Sequence, residues 1–163
     1  MIKYLREIKS LRKNKNFYIS TAESCTGGMV SNSLTSIDGS SSFYNGSIIC
    51  YSNDFKLDNL NVKKTIISRY GAVSHQTALS MVKGLSKKSS SNILISITGV
   101  AGPNGGTKKT PVGCVFFGIG NKKNNQYKFK TIKKLFKDKT RNMIRKKTTE
   151  FALKLIINEI KLI

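Results

Sequence analysis

Apolar and polar positions follow two different periods along the chain, and the pattern changes repeatedly from helical to extended. Apolar residues spaced three and four apart predict helices at residues 1–13, 29–36, 74–85 and 140–160, with short helical pieces near 55–57 and 62–67. Runs of apolar and β-branched residues predict strands at residues 17–21, 47–51, 92–98, 112–119 and, as an antiparallel edge strand, 127–132. Alternating helices and strands followed by a hairpin predict a three-layer α/β/α sandwich with a mixed, mostly parallel sheet, in one domain spanning residues 1–163.

Individual positions carry further expectations about where these elements begin and what they bury. Ser74 is a favourable N-cap for the third long helix, and Asn53 or Asp54 is expected to cap the short helix that carries Phe55. Residues 121–125 are expected to form a polar turn. The side chains predicted to lie on the buried side of the last helix are Met143, Ile144, Phe151, Leu155 and Ile156.

The most informative segment follows the first strand and reads Thr-Ala-Glu-Ser-Cys-Thr-Gly-Gly over residues 21–28. Ser24 falls where the strand ends and the next helix begins, which is where ligands bind in open α/β sheets. Unpaired N–H groups at a helix start can stabilise an anion or an oxyanion, and the two glycines let a substrate approach the backbone. Ser24 and Thr26 are also favoured helix N-caps, so the pattern alone leaves both roles open.

Two more loops follow predicted strand ends, at residues 51–56 and 99–107. Parallel strands bring such loops to one edge of a sheet, so Ser24, Tyr51 and Lys56 are expected to share a pocket with the glycine-rich loop. The glycine spacing at 99–107 matches neither a Walker nor a dinucleotide-binding fingerprint, so it is weak evidence of phosphate binding by itself.

A serine nucleophile needs a base, and the chain offers few candidates. The single histidine, His75, begins a helix, where a solvated side chain is expected. The eight carboxylates do not cluster along the chain, which argues against a metal site or an acid pair. A lysine with a lowered pKa remains, and position favours Lys56. The alternative to a catalytic role is that Lys56 is an exposed helical lysine and that Tyr51 is a half-buried aromatic residue.

The formal net charge of +21 raises the question of nucleic-acid binding. The lysines are spread over the whole chain, and they accompany many Asn, Ile and Ser residues, as an AT-rich genome would impose on any surface. No aromatic residues interleave with the basic runs to form a stacking platform for single strands. A solvated lysine surface is the preferred interpretation, and nucleic acid is not the expected partner.

The cysteines and the apolar runs indicate in which cellular compartment the protein is expected. Cys25, Cys50 and Cys114 are odd in number and widely spaced, so buried free thiols in a reducing cytosol are expected. No run of apolar residues is long enough for a membrane span, and the first residues do not match a signal peptide.

Several segments taken together resemble the CinA C-terminal domain family, whose members are nicotinamide-nucleotide amidohydrolases. These are residues 21–28, Tyr51-Ser52-Asn53 with Lys56, Gly71-Ala72-Val73-Ser74, the loop 99–107 and Pro111-Val112-Gly113. The resemblance covers about residues 17 to 155 in the family's order and spacing. Each motif is modest alone, and the combination is specific.

The resemblance implies an α/β/α fold and cytoplasmic deamidation of nicotinamide mononucleotide to nicotinate mononucleotide, with no metal and no cofactor. It assigns the nucleophile to Ser24, the base to Lys56 and an assisting hydroxyl to Tyr51. The residues expected to bind substrate, through backbone N–H groups or as partners of the phosphate, are Cys25, Thr26, Gly27, Gly28, Asn53, Gly99, Gly102, Arg141 and Arg145.

This chain departs from the family pattern at Thr110, where relatives usually have lysine, and at His75, where an acidic residue is common. The family's association with competence and DNA damage keeps a non-catalytic nucleic-acid-binding protein as the alternative. A homodimer is a further expectation, because Phe43, Tyr44, Phe116 and Phe117 need not all fit one core.

Overall fold

The computed structural model of the chain describes residues 1–138 and 140–163, and in these residues it contains five strands and six α-helices. The strands are β1 (Ile19–Glu23), β2 (Tyr44–Ile49), β3 (Ile93–Gly99), β4 (Cys114–Lys123) and β5 (Gln126–Leu135). The helices are α1 (Ile2–Asn14), α2 (Met29–Thr35), α3 (Asn53–Leu60), α4 (Lys64–Tyr70), α5 (His75–Ser86) and α6 (Arg141–Lys161), and a 3-10 turn spans Ser40–Ser42.

The strands form one mixed sheet in the order β2-β1-β3-β4-β5. β1 is parallel to both β2 and β3, whereas β4 is antiparallel to β3 and to β5. Four of the five strands therefore run in the same direction, and β4 alone is reversed. The carboxyl ends of β1, β2 and β3 meet at one edge of the sheet, and this edge carries the loops singled out by the sequence.

Different helices cover the two faces of the sheet, which confirms the predicted α/β/α architecture. α1, α2 and α6 pack on one face, and α3, α4 and α5 pack on the other. β3 contributes side chains to both cores because successive side chains of a strand point to opposite faces. Ile93, Ile95 and Ile97 belong to the first core and Leu94 to the second. None of the helices in the described part of the chain is long and apolar enough to cross a membrane.

Strand boundaries differ from the predicted ones by a few residues. β1 and β2 are displaced to residues 19–23 and 44–49, and β4 extends to Lys123, so the turn occupies only Asn124 and Asn125. Both asparagines have positive φ, which is the backbone of a tight two-residue hairpin turn. The polar residues before them, 121–123, do not belong to the turn, because they continue the ladder of β4 with β5.

Three other predictions about side chains are corrected. Met143 lies on the solvent side of α6, where it is 46% exposed, although Ile144 next to it is buried. Ser52, and not Asn53 or Asp54, caps α3, because its hydroxyl accepts a hydrogen bond from the N–H of Phe55. Ser74 is the N-cap of α5 as predicted.

The third correction concerns the argument for a homodimer. Phe43 and Phe117 are completely buried in one chain, Phe116 is nearly so, and Tyr44 is half-buried with its hydroxyl bonded to Ser31. These aromatic residues fit the cores of a single chain, so they give no reason to expect a second copy.

Candidate active site

A pocket of about 230 Å³ opens at the sheet edge where β1, β2 and β3 end. It is lined by Ser24, Cys25, Tyr51, Asn53, Lys56, Ala72, Val73, Thr98, Gly99, Ala101 and Arg141. The three loops predicted to gather at one edge therefore do so, and they bring Ser24 and Lys56 to one cavity. Ala72, Val73 and Thr98 were not expected there. The hydroxyl of Thr98 donates to the carbonyl of Ala72 at 2.7 Å, which joins the end of β3 to the segment before α5.

Ser24 begins a tight turn, residues 24–28, that we call the nucleophile turn. The N–H of Ser24 donates to the carbonyl of Ile97 on β3, so the turn starts from the sheet itself. The N–H of Gly27 donates back to the carbonyl of Ser24 at 3.0 Å, which closes the turn. Gly27 and Gly28 have φ of 57° and 89°, a region that side chains disfavour. Ser24 itself is only 8% exposed.

The carboxylate of Glu23, rather than the side chain of Ser24 or Thr26, caps the N-terminus of α2, whose N-cap position is Gly28. This buried carboxylate accepts hydrogen bonds from the N–H groups of Gly28, Val30 and Ser31 at 2.8–3.1 Å. This arrangement places a negative group at a helix start, where unpaired donors and the helix dipole favour it. The sequence does contain a signal for this role, because a carboxylate stands at the end of a strand, directly before a turn and a helix. Ser24 is consequently free of any capping role.

We expect Glu23→Gln to lower the free energy of unfolding by about 1–3 kcal/mol, because the amide presents an N–H donor where a charged acceptor stood. Urea denaturation measures the change. The matched control is Glu7→Gln, since Glu7 forms an exposed ion pair with Lys161 and should change stability by less than about 0.5 kcal/mol. Equal effects of the two substitutions would contradict the capping role of Glu23.

The nucleophile turn keeps two backbone donors free. Gly27 and Gly28 direct their N–H groups to Ser24 and Glu23, so these two groups are already engaged. The N–H groups of Cys25 and Thr26 donate to no other residue among those that the structure describes; Cys25 lines the pocket, whereas Thr26 is completely buried and does not. Of the four expected N–H groups, these two remain able to stabilise an oxyanion that forms at Ser24.

Lys56 is 1% exposed, although it lies on the short helix α3. Its Nζ donates to the carbonyls of Tyr51 and Ser52 at 3.0 and 3.2 Å, and within the described residues it forms no ion pair. Burial lowers the pKa of Lys56 below its usual range, and the nearby thiols of Cys50 and Cys25 oppose this only in part. The alternative of a solvated helical lysine is therefore wrong.

Tyr51 and Arg141 form a contact at the mouth of the pocket. Tyr51 is 62% exposed, and its hydroxyl accepts a hydrogen bond from the Arg141 guanidinium at 2.8 Å. The same guanidinium donates to the carbonyl of Gly102 at 2.8 Å, which links α6 to the glycine-rich loop. The hydroxyl of Tyr51 is thus bonded to Arg141 rather than to Ser24 or Lys56.

The expected substrate-binding residues separate into two groups. Asn53, Gly99 and Arg141 line the pocket, and Gly99 is packed so closely that a Cβ there would lie 2.7 Å from the side chain of Val115. Arg145 does not line it, because its guanidinium donates to the carbonyl of Thr26 at 2.6 Å. Cys25 lines the pocket as well, whereas Thr26, Gly27, Gly28 and Gly102 do not.

The cysteines are poor nucleophiles in this environment. Burial raises the pKa of Cys25 to about 12 and that of Cys50 to about 11, so both thiols stay protonated at neutral pH. Cys114 is also buried, and none of the three is in a disulfide. Across the described residues, no three His, Cys, Asp or Glu side chains lie close enough together to hold a metal ion. Ser24 is therefore the candidate nucleophile among the side chains that line the pocket.

Several lysines lie over aromatic rings that are partly buried or, for Phe116, buried. Such pairs join Lys83 to Phe129, Lys122 to Tyr127, Lys133 to Phe116, Lys134 to Phe151 and Lys154 to Tyr4. Rings covered in this way are not open platforms on which bases could stack. The expectation that nucleic acid is not the partner stays a prediction, supported by this packing.

Comparison with known proteins gives a consistent result. The family described as "CinA C-terminal domain" matches residues 2–160. A "CinA-like protein" of Pseudothermotoga lettingae is 40% identical over 147 residues, which are 90% of this chain and 35% of that protein. The chain thus spans about a third of the length of the curated relatives it matches.

Solved structures cover the chain more completely. A competence/damage-inducible protein, CihA, from Agrobacterium tumefaciens is 34% identical with a TM-score of 0.86, and the match covers 96% of this chain and 94% of that one. The competence damage-inducible protein A (ComA) from Klebsiella pneumoniae is 26% identical with a TM-score of 0.87, over 98% of this chain and 96% of that one. Their names refer to competence and damage, and they do not state a reaction.

Proposed function

This chain belongs to the CinA C-terminal domain family, and we propose that it hydrolyses the carboxamide of nicotinamide mononucleotide to nicotinate mononucleotide and ammonia. The family resemblance suggests the substrate, and the side chains of the pocket suggest how the reaction proceeds. The observation that carries the proposal is the buried, unpaired Lys56 in the same cavity as Ser24. A lysine with a lowered pKa and no carboxylate partner is suited to remove a proton from a serine hydroxyl.

The reaction begins when neutral Lys56 accepts the proton of Ser24 as the serine oxygen attacks the carboxamide carbon. The N–H groups of Cys25 and Thr26 stabilise the oxyanion that forms. Protonated Lys56 then gives its proton to the amide nitrogen, which leaves as ammonia while the acyl group stays on Ser24 as an ester. Water next attacks the ester, Lys56 takes a proton from the water, and that proton returns to Ser24 as nicotinate mononucleotide is released.

The mouth of the pocket is suited to the rest of the substrate. Arg141 carries a guanidinium that can pair with a phosphate in bidentate fashion, and it stands beside the exposed ring of Tyr51. We assign the substrate phosphate to Arg141 and to the glycine-rich loop that Arg141 contacts. The assisting role of Tyr51 is to orient Arg141, since its hydroxyl is bonded to that guanidinium. We further propose a role in recycling pyridine nucleotides in the cytoplasm.

The pH dependence of the rate follows from the state of Lys56. The base works only when neutral, so kcat/KM should rise as pH increases through the lowered pKa of Lys56 and level off above it. The midpoint should lie below 10.5, the ordinary lysine value, because burial disfavours the charged form. Ammonia release measured across the pH range in which the protein stays folded checks this. A rate that falls as pH rises from neutral would contradict a lysine base.

A further inference from the structure

The two arginines on α6 lie on different sides of the nucleophile turn. Arg141 lines the pocket, whereas Arg145, one turn later on the helix, contacts the turn from the side of α6. Its guanidinium donates to the carbonyl of Thr26 at 2.6 Å. The Nε atom of Arg145 is buried without an acceptor among the described residues. Arg145 is thus packed into the protein and does not reach toward a ligand at the pocket mouth.

The contact between Arg145 and the turn is close. The carbonyl of Thr26 also accepts a hydrogen bond from the N–H of Met29 at 3.3 Å, so it is held by two donors. A Cβ on Gly27 would lie 3.4 Å from the Arg145 guanidinium, which leaves little free space between them. The turn therefore rests against the guanidinium at its middle residues.

Glu23 holds the other end of the same turn through its bonds to Gly28, Val30 and Ser31. A buried anion and a guanidinium therefore fix the nucleophile turn from two sides. Ser24 and the N–H groups of Cys25 and Thr26, which the proposed reaction requires, precede both contacts along the turn. The geometry of the nucleophile depends on both charged side chains, and only Arg145 approaches from another element of the fold.

We propose that Arg145 is a positioning residue that holds the nucleophile turn in the conformation needed to present Ser24 and the free N–H groups to the carboxamide. This role rests on the proposed amidase function. Arg145 then does not bind the substrate phosphate, which is left to Arg141 and the glycine-rich loop. A displacement of a reacting group by about 1 Å costs on the order of 10²-fold in rate, so loss of this contact should affect the chemical step.

The test compares Arg145→Met with Arg141→Met in the full chain, with nicotinamide mononucleotide as substrate. We expect Arg145→Met to lower kcat about 10- to 100-fold with KM changed less than about threefold, because Arg145 acts on the nucleophile. We expect Arg141→Met to raise KM about tenfold or more through loss of the phosphate contact. Arg145→Lys should recover part of kcat, since an ammonium can donate to the Thr26 carbonyl. An increase in KM with kcat intact in Arg145→Met would overturn the proposal.

A second measurement does not need turnover. Amide hydrogen exchange of the substrate-free protein, followed by NMR, should be faster by about tenfold or more at Gly27 in Arg145→Met, while amides of α5 exchange as in the wild type. If the wild-type protein fails to hydrolyse the nucleotide, the proposed function fails, yet exchange at Gly27 still decides whether Arg145 holds the turn. Unchanged exchange at Gly27 in both Arg145 variants would overturn the positioning role.

Discussion

Ser24→Ala should reduce ammonia release from nicotinamide mononucleotide by at least about 10⁴-fold, because no other group in the pocket can form the acyl-enzyme. The neighbouring Cys25 cannot substitute for the serine, since burial raises its pKa to about 12 and keeps its thiol protonated. The substitution removes one small oxygen atom from a nearly buried position that does not cap α2, so the fold should persist. Ammonia release and thermal unfolding are measured on the same preparation.

The matched control for this change is Ser68→Ala, which makes the same substitution at an exposed position on α4. Its rate should equal that of the wild type. Retention of more than about a hundredth of the wild-type rate in folded Ser24→Ala would mean that Ser24 is not the nucleophile. A water molecule activated by Lys56 would then be the remaining candidate for the attack.

Lys56→Met should lower kcat by about 10²- to 10⁴-fold, the usual contribution of a general base. Methionine keeps an unbranched stem in the buried site and removes only the amine. Lys56→Arg should be equally inactive although it keeps a positive charge and hydrogen-bond donors, because arginine does not lose its proton in proteins. Steady-state rates of ammonia release across pH measure both, and the rise in rate with pH should disappear.

The matched control is Lys64→Met, which removes an exposed lysine from the start of α4 and should leave the rate unchanged. The double variant Ser24→Ala with Lys56→Met gives a sharper test. If Lys56 acts through Ser24, the double variant should be no slower than Ser24→Ala alone, since residues that act as a unit are not additive. Multiplied losses in the double variant would show that the two residues act independently.

The sequence predicted the fold class because the signals on which it depends are local. Strand β3 reads Ile-Leu-Ile-Ser-Ile-Thr-Gly, and burial on both faces makes such a run recognisable without knowledge of its neighbours. The Ser74 cap of α5 is equally local. Solvent exposure of Met143 was missed because this apolar residue lies one position before the buried stripe of α6, which recurs at Ile144, Thr148 and Ala152.

The same distinction, between local signals and features that arise from packing, applies to the candidate site. Ser24, Lys56 and the glycine-rich loop could be placed together because each follows a parallel strand. The depth at which Lys56 is buried depends on how α3 folds back over the second core, and no single position in the sequence reports that. The role of Glu23 depends on the angle between β1 and α2. The separation of Arg141 from Arg145 depends on how α6 crosses the nucleophile turn, which arises only from tertiary packing.

The contacts of Lys56 also show how a buried lysine is held without a counter-ion among the described residues. Lys56 is held by two backbone carbonyls at the start of α3, which are partners that accept hydrogen bonds without adding a full negative charge. A carboxylate at the same distance would favour the ammonium form and hold the pKa of Lys56 up. The site thus lowers the pKa of Lys56 while still fixing the position of its amine.

Incubation of the purified protein with nicotinamide mononucleotide, with both ammonia and nicotinate mononucleotide quantified, tests the central claim most directly. The account predicts that the two products appear in equal amounts and that neither appears with Ser24→Ala or Lys56→Met. Absence of both products from wild-type protein with a cooperative thermal transition would contradict the claim, and it would direct the search for a substrate to other amides.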